Sequence, residues 1–406
     1  MSGDSPATHS AVTNMSTATA VPIPAARLSS FYFAYYAALG AFTPYWSLYL
    51  KQHGQDAAAI SVLMALWYAT RIIAPSTWQA IASRSSRPIL WLRIGCALAG
   101  FSLLPFLLPL QFDGLFVAMC VFCFLYNAVM PQFEALTLSH LTGRTEQYGR
   151  IRVWGSIGFI AVVALFGVIF DYLSVVWLPL LMLPLFAVLV WSSLRNDYGA
   201  ALRNIDPSEP VDLWRHVKRR EVIAFFVVCL LTQISFGPMY TFFSLYLEQH
   251  GYRASTLGLF WAIGVAVEIA VFFASARLFT RWSTRVMLLV ALGSAIVRWL
   301  ITALFPTNIL MMTLAQLTHA LNFAAFFAAC MQCLARYFPG RLGGHGQGIF
   351  YGFSSGLGGV LGALVAGQAW RIGGGELAFG IAAGFATLAC LVAYVWVRDP
   401  IQAGQP

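Results

Sequence analysis

The sequence is short of charge. Asp, Glu, Lys and Arg together supply 10% of its 406 residues, and only 15 of these are acidic. A soluble globular domain carries roughly 25% charged residues, so this chain has too few to cover a water-facing surface. It is also short of groupings that do chemistry. The seven cysteines lie almost entirely in apolar stretches, which argues against a disulfide framework. Two CxxC spacings, Cys120/Cys123 and Cys330/Cys333, have no His or Asp cluster beside them to complete a metal shell. They read as small apolar residues on membrane helices. No nucleophile, base and oxyanion donor gather in one place, so the sequence points to no enzyme and no cofactor. Basic residues do not interleave on any soluble face, which argues against nucleic acid as a partner. No charged, then apolar, then cleavable pattern precedes the first apolar run, so no removable signal peptide is expected.

What the sequence has in quantity is apolar length. Hydrophobic types make up 59% of it, and runs of about 20 recur, each able to cross ~30 Å of hydrocarbon. They are continuously apolar instead of alternating, which predicts helices and not barrel strands. Twelve spans are expected, near 28–51, 57–82, 88–110, 114–140, 148–171, 173–195, 221–248, 254–279, 284–305, 307–334, 345–370 and 374–397. The longest polar stretch, 196–220, opens with Asn196 and Asp197 and closes with Arg215, Lys218, Arg219 and Arg220. The expected organisation is a disordered cytosolic tail over 1–27, a six-helix bundle over 28–195, a cytosolic linker over 196–220, a second bundle over 221–398 and a tail over 399–406.

Basic residues set the expected orientation. With the N-terminus in the cytoplasm, 18 of the 24 Lys and Arg residues fall inside, and only Lys51, Arg253 and Arg371 fall outside. That bias predicts a multi-pass protein of the cell inner (plasma) membrane with both termini cytoplasmic. The net charge of +9 then reflects topology.

The two halves repeat. Residues 47–54 read SLYLKQHG and residues 244–251 read SLYLEQHG, seven identities in eight at an offset of 197. The same offset carries Arg71 onto Glu268 and Arg84 onto Arg281. Alignment of span edges and buried charges together predicts two pseudo-symmetric bundles, a transporter plan with its site at the midplane.

Six ionisable residues lie within spans: Arg71, Glu134, Arg152, Glu268, Arg298 and His319. Each charge at the bilayer centre costs roughly 2.5–3.5 kcal/mol on insertion scales, so these must face one another or a polar cavity. Static ion pairs locking helices would account for some of them. Three Arg against two Glu leave positive charge without a fixed partner, which favours a substrate and ion pathway. Asn127 and Glu134, seven apart, share a helix face, with Pro131 between them expected to kink the helix. Gln316, His319 and Asn322 form a polar stripe. Trp67 and Trp78 are placed on the face of Arg71, where aromatic walls either pack or sandwich a planar ligand. Gly344, Gly348, Gly352 and Gly356, continued by Gly358 and Gly362, predict a ridge of close helix contact.

These residues resemble the major facilitator superfamily over essentially the whole chain after residue 27. The run Tyr148-Gly149-Arg150-Ile151-Arg152-Val153-Trp154-Gly155-Ser156 is similar to the start of helix five in phenylpropionate permeases, lactose permease and nucleoside–proton symporters. The likeness to phenylpropionate permeases extends through Gly251-Tyr252-Arg253-Ala254-Ser255 and Val297-Arg298-Trp299. The resemblance implies that Asn127, Pro131, Glu134 and Arg152 match the substrate-holding motif of helices four and five. It implies that Glu268, Arg298 and His319 match the proton-coupling helices eight to ten. Lactose permease has a proton-carrying glutamate three residues after its histidine, where this chain has Asn322. The loop Ser83-Arg84-Ser85-Ser86-Arg87 keeps the superfamily's bases and lacks its acid.

The expected protein is a monomeric secondary transporter working by alternating access, with proton as coupling ion and no cofactor or metal. Arg71, Asn127, Glu134 and Arg152 are the expected substrate contacts, and Glu268, Arg298 and His319 the proton-coupling set. The resemblance implies a small aromatic carboxylic acid as substrate; a neutral sugar or nucleoside is the alternative.

Overall fold

The computed structural model describes residues 22–141, 144–199, 213–279 and 282–397. Residues 1–21 of the expected N-terminal tail, the 399–406 tail and 200–212 of the expected linker lie outside these residues, while 25–27, expected in the tail, belong to the first helix. Within them the chain is helical and contains no strand. The first half comprises α1 (Ala25–Gln52), α2 (Ala57–Ser83), α3 (Pro88–Phe101), α4 (Phe112–His140), α5 (Tyr148–Phe170) and α6 (Leu178–Leu194). A short α7 (Leu213–Val217) follows in the linker region. The second half comprises α8 (Arg220–Ser235), α9 (Gly237–Gln249), α10 (Ala254–Phe279), α11 (Thr284–Leu304), α12 (Ile309–Leu317), α13 (Phe326–Tyr337), α14 (Gly343–Ile349) and α15 (Gly358–Trp396).

Ten helical stretches among the described residues are long and apolar enough to cross a membrane. The first helix, α1, is not among them although it has 28 residues; its apolar character comes largely from Tyr and Phe instead of aliphatic residues. The last stretch, Gly343–Trp396, has 54 residues, about 81 Å at 1.5 Å per residue, far more than one bilayer. It is broken at Gly373 and Gly374, where φ of +68° and ψ of −162° at Gly374 are open only to a residue without a Cβ. A second break falls at Phe236, where α8 gives way to α9 ahead of Pro238. By contrast α4 runs on through Pro131 without interruption.

The repeated octapeptides end their helices in the same way. Gly54 (φ +75°) and Gly251 (φ +81°) both turn left-handed. Gly54 N–H bonds to Lys51 O and Gln55 N–H to Leu50 O, while Gly251 N–H bonds to Glu248 O and Tyr252 N–H to Leu247 O. Each is a Schellman stop, which satisfies carbonyls that the helix leaves orphaned. His53 and His250 each place Nδ1 on a carbonyl four residues back, Tyr49 O at 2.9 Å and Tyr246 O at 2.8 Å. The sequence repeat is therefore a structural repeat. These turns lie on what we call the loop face; Pro24, Arg84 and Asn196 lie on the opposite, terminal face.

Helices α1 to α6 pack chiefly on one another, as do α8 to α15, and the two sets meet where α1, α2 and α5 touch α9, α15 and α10. These crossings lie towards the loop face and depend on glycine. A Cβ at Gly258 would sit 2.5 Å from Val163 O, one at Gly167 2.7 Å from Ala254 O, and one at Gly359 would strike Tyr68. The expected ridge is only half realised. Gly356, Gly358 and Gly362 pack tightly, but Gly344, Gly348 and Gly352 have nothing within 4 Å of an added Cβ. The halves close over the loop-face end of this stretch and stand apart at the terminal-face end.

Candidate functional site

The first cluster joins α1, α4 and α5. Glu134 Oε2 accepts hydrogen bonds from Tyr32 and Tyr148 hydroxyls, both at 2.8 Å. Its other oxygen lies 3.7 Å from Arg152 Nε, with the two side chains 27% and 29% exposed. Arg152 donates to the Tyr36 hydroxyl and lies over the Tyr36 ring, 4.0 Å from its centroid. Glu134 and Arg152 thus converge as their spacing around a short loop predicts. The three tyrosines around them were missed. Tyr148 opens the run that resembles the start of helix five, and the signal for Tyr32 and Tyr36 is spacing: they are four apart, on one face of α1.

Asn127 stands apart from this cluster. It is buried, and its amide donates to Trp67 O at 2.9 Å and Thr70 Oγ1 at 3.0 Å, binding α4 to α2. Trp78 also leaves the expected face. Its indole N–H needs an acceptor once buried and takes Gln132 Oε1 at 3.2 Å.

Arg71 sits on α2 against the Trp67 ring, 5.5 Å from its centroid. Among the described residues no carboxylate comes within ion-pair distance of it. Its neighbours Tyr68 and Ile72 pack on Gly359 and Gly356 of the second half, so Arg71 lies where the two halves meet. Tyr351 is 46% exposed and packs edge-on against Phe350.

The second cluster joins α9, α10, α11 and the segment after α12. Arg298 is completely buried. Its Nη1 meets His319 Nδ1 at 2.7 Å and Asn322 Oδ1 at 3.4 Å, and its Nη2 meets Gln316 Oε1 at 3.0 Å. All three members of the polar stripe thus converge on one guanidinium. An arginine N–H can only donate, so His319 Nδ1 accepts and the ring proton is on Nε2. That nitrogen lies 3.7 Å from Glu268 Oε2. A buried ion costs several kcal/mol without compensation; here three neutral acceptors and, through His319, one acid supply it. π-helical turns at Leu321–Ala325 and Phe350–Leu357 carry Asn322 and Tyr351, and such turns recur at functional sites.

No group of three or more His, Cys, Asp or Glu among the described residues could hold a metal ion.

The fold and these clusters define a multi-pass helical membrane protein with charged clusters inside each of two sets of helices. The sequence profile of the MFS_1 like family matches residues 25–381, and the chain belongs to that family. It is 29% identical over 310 residues, 75% of this chain and 80% of the relative, to a probable 3-phenylpropionic acid transporter of Escherichia coli (strain K12). It is 26% identical over 366 residues to maltose permease of Geobacillus stearothermophilus, covering 86% of this chain and 90% of that one. The structure is similar to that of nucleoside transporter NupG, with a TM-score of 0.81, 14% identity, and coverage of 93% of this chain and 99% of that one. The chain is a secondary transporter of small molecules and not an enzyme.

Proposed function

We propose that this transporter is a proton symporter of a small aromatic carboxylic acid, working by alternating access between two six-helix bundles. Arg71 carries the reading: a cation where the two halves meet, without a carboxylate beside it among the described residues, resting on Trp67. A carboxylate would pair with Arg71, and its aromatic body would lie among Trp67, Tyr240 and Tyr351. Arg152 and Glu134 orient the ligand. Asn127 holds α2 and α4 in the register that presents Arg71. The name of the 3-phenylpropionic acid relative supports this class.

Glu268 is the proton carrier in this reading. His319 can take a second proton only by surrendering its bond from Arg298, whereas Glu268 is 28% exposed and within reach of water. Protonating Glu268 would remove the acid that balances Arg298 through His319, and the freed charge would favour the other arrangement of the halves.

The twelve crossings of this reading take α1 as a span and divide Gly343–Trp396 at Gly374. In this reading the protein is a monomer of the inner membrane with both termini cytoplasmic, an orientation the basic bias supports. With crossings packed towards the loop face and glycines bare towards the terminal face, the cavity opens inward.

A neutral sugar or nucleoside is the second reading. It is favoured by the hydroxyl-and-carboxylate array of Tyr32, Tyr148 and Glu134, and by the names of maltose permease and nucleoside transporter NupG. An uptake screen of small acids, sugars and nucleosides, with Arg71→Gln as control, separates the two. Acid uptake lost in R71Q supports the first reading; sugar or nucleoside uptake retained in R71Q overturns it.

A further inference from the structure

A second basic site lies away from the central cavity. At the terminal face, a recess of about 290 Å³ is formed where α1, α3, α4 and the segment after α6 meet. Arg27, Arg93, His140 and Arg195 line it, with Asn196 and Asp197. Four separate parts of the chain thus bring three guanidinium groups and an imidazole together against one carboxylate.

The recess is built. Arg93 Nη2 donates to Asn196 O at 3.1 Å, and Asn196 Nδ2 donates to Arg27 O at 3.1 Å and Ser192 O at 2.9 Å. His140 Nε2 lies 2.8 Å from Asp197 O. These bonds fold the chain after α6 across the ends of α1 and α4 and fix the Arg93 side chain beside the hollow. The one acid does not neutralise the arginines: Asp197 Oδ1 accepts from the Tyr198 N–H at 2.8 Å. Among the described residues no carboxylate comes within ion-pair distance of Arg27, Arg93 or Arg195. Arg93 Nε is buried and without a hydrogen-bond partner, a donor that an entering oxygen would satisfy.

The flank of the recess is apolar. Leu194 lines it and is 57% exposed; Trp191, one turn earlier, is 52% exposed, and Arg195 lies 4.7 Å over its ring. Tryptophan and arginine at the end of a membrane helix mark the headgroup level. A ligand here meets positive charge at one end and an exposed apolar strip at the other.

We propose that this recess binds the phosphate of an anionic phospholipid, whose acyl chains run along Trp191 and Leu194. Basic pockets between membrane helices take anionic headgroups in this way. The site is independent of the transported substrate, and it joins α1, α3, α4 and α6, so the bound lipid would tie the first half together at the terminal face.

The test is native mass spectrometry of the full-length purified protein, titrated with phosphatidylglycerol, phosphatidylcholine or inorganic phosphate. The site predicts that phosphatidylglycerol is retained about tenfold over phosphatidylcholine. Replacing Arg27→Gln with Arg195→Gln, both exposed, should abolish the preference. Replacing Arg84→Gln with Arg87→Gln, exposed on the same face, should leave it intact. Equal retention of the two lipids, or equal losses in both double variants, would overturn the site. Arginine-dependent binding of inorganic phosphate that phosphatidylglycerol cannot displace would overturn the lipid assignment.

Discussion

Lys51 and Glu248 occupy the same place in the two copies of the repeat, 197 positions apart, and the structure joins them, Nζ to Oε2 at 2.7 Å. Two equivalent positions on pseudo-symmetric helices meet near the axis that relates them. Opposite charges there turn symmetry into a clasp across the loop face. The side chains are 46% and 41% exposed, so the pair contributes about 0.2–1 kcal/mol. Its effect on fold stability is small. Its effect on an equilibrium between two near-isoenergetic arrangements is a few-fold. Lys51→Glu alone should raise the labelling rate of a cysteine introduced at Gln52 by about two- to fivefold. Adding Glu248→Lys should restore the original rate. A rate unchanged in the single variant would show that the pair does not hold this face closed.

The Glu134–Arg152 pair predicts loss of binding without loss of fold. Each side chain is partly open to the cavity, so neither is needed for membrane insertion. Glu134→Gln or Arg152→Gln should weaken substrate binding by at least about tenfold, since hydrogen bonds to charged groups contribute ~1.5–3 kcal/mol. Isothermal titration on detergent-solubilised protein measures it. Normal affinity in both variants would remove the pair from the site.

The bare glycines predict a separation of stability from turnover. Gly348→Leu meets open space in this arrangement and should leave the melting temperature within about 2 °C, as surface changes do. If Gly344, Gly348 and Gly352 are the surface on which the halves close at the terminal face, the same variant should stall transport. Gly258→Leu, driven into Val163 O, should instead fail to fold or melt much lower. Full transport by Gly348→Leu would mean that the ridge never closes.

The arginine cage predicts uncoupling. His319→Ala removes the group between Arg298 Nη1 and Glu268. Substrate exchange at equal concentrations should survive, while accumulation against a gradient should fall to unity. Accumulation unchanged in His319→Ala would exclude this relay.

Much of this arrangement was legible in the sequence, and what was legible was periodic. Apolar runs mark the spans and the octapeptide marks the symmetry, whereas Gln316, His319 and Asn322, a stripe expected to line water, are buried on Arg298 instead. The errors came where spacing is silent about which neighbour a face meets. Asn127 shares a helix face with Glu134, and which acceptors its amide finds on α2 is not legible from that spacing. The glycine ridge was read as one surface, whereas its two ends meet different surroundings. The tyrosines around Glu134 were hidden among 16 tyrosines in an aromatic-rich chain.

Symport of a monoanion with one proton is tested most directly by its driving force. Moving one elementary charge through 100 mV is worth ~2.3 kcal/mol, and a tenfold proton gradient ~1.4 kcal/mol. A monoanion carried with one proton moves no net charge, so the potential contributes nothing and accumulation is limited to about tenfold per pH unit. A neutral substrate carried with one proton gains from both terms and could accumulate several hundredfold. The measurement is uptake of labelled 3-phenylpropionate into proteoliposomes, under an imposed pH step or an imposed potential. An Arg71-centred carboxylate site predicts uptake driven by the pH step, insensitive to the potential and lost in Arg71→Gln. Strong stimulation by an inside-negative potential at equal pH, or uptake undiminished in Arg71→Gln, would contradict it.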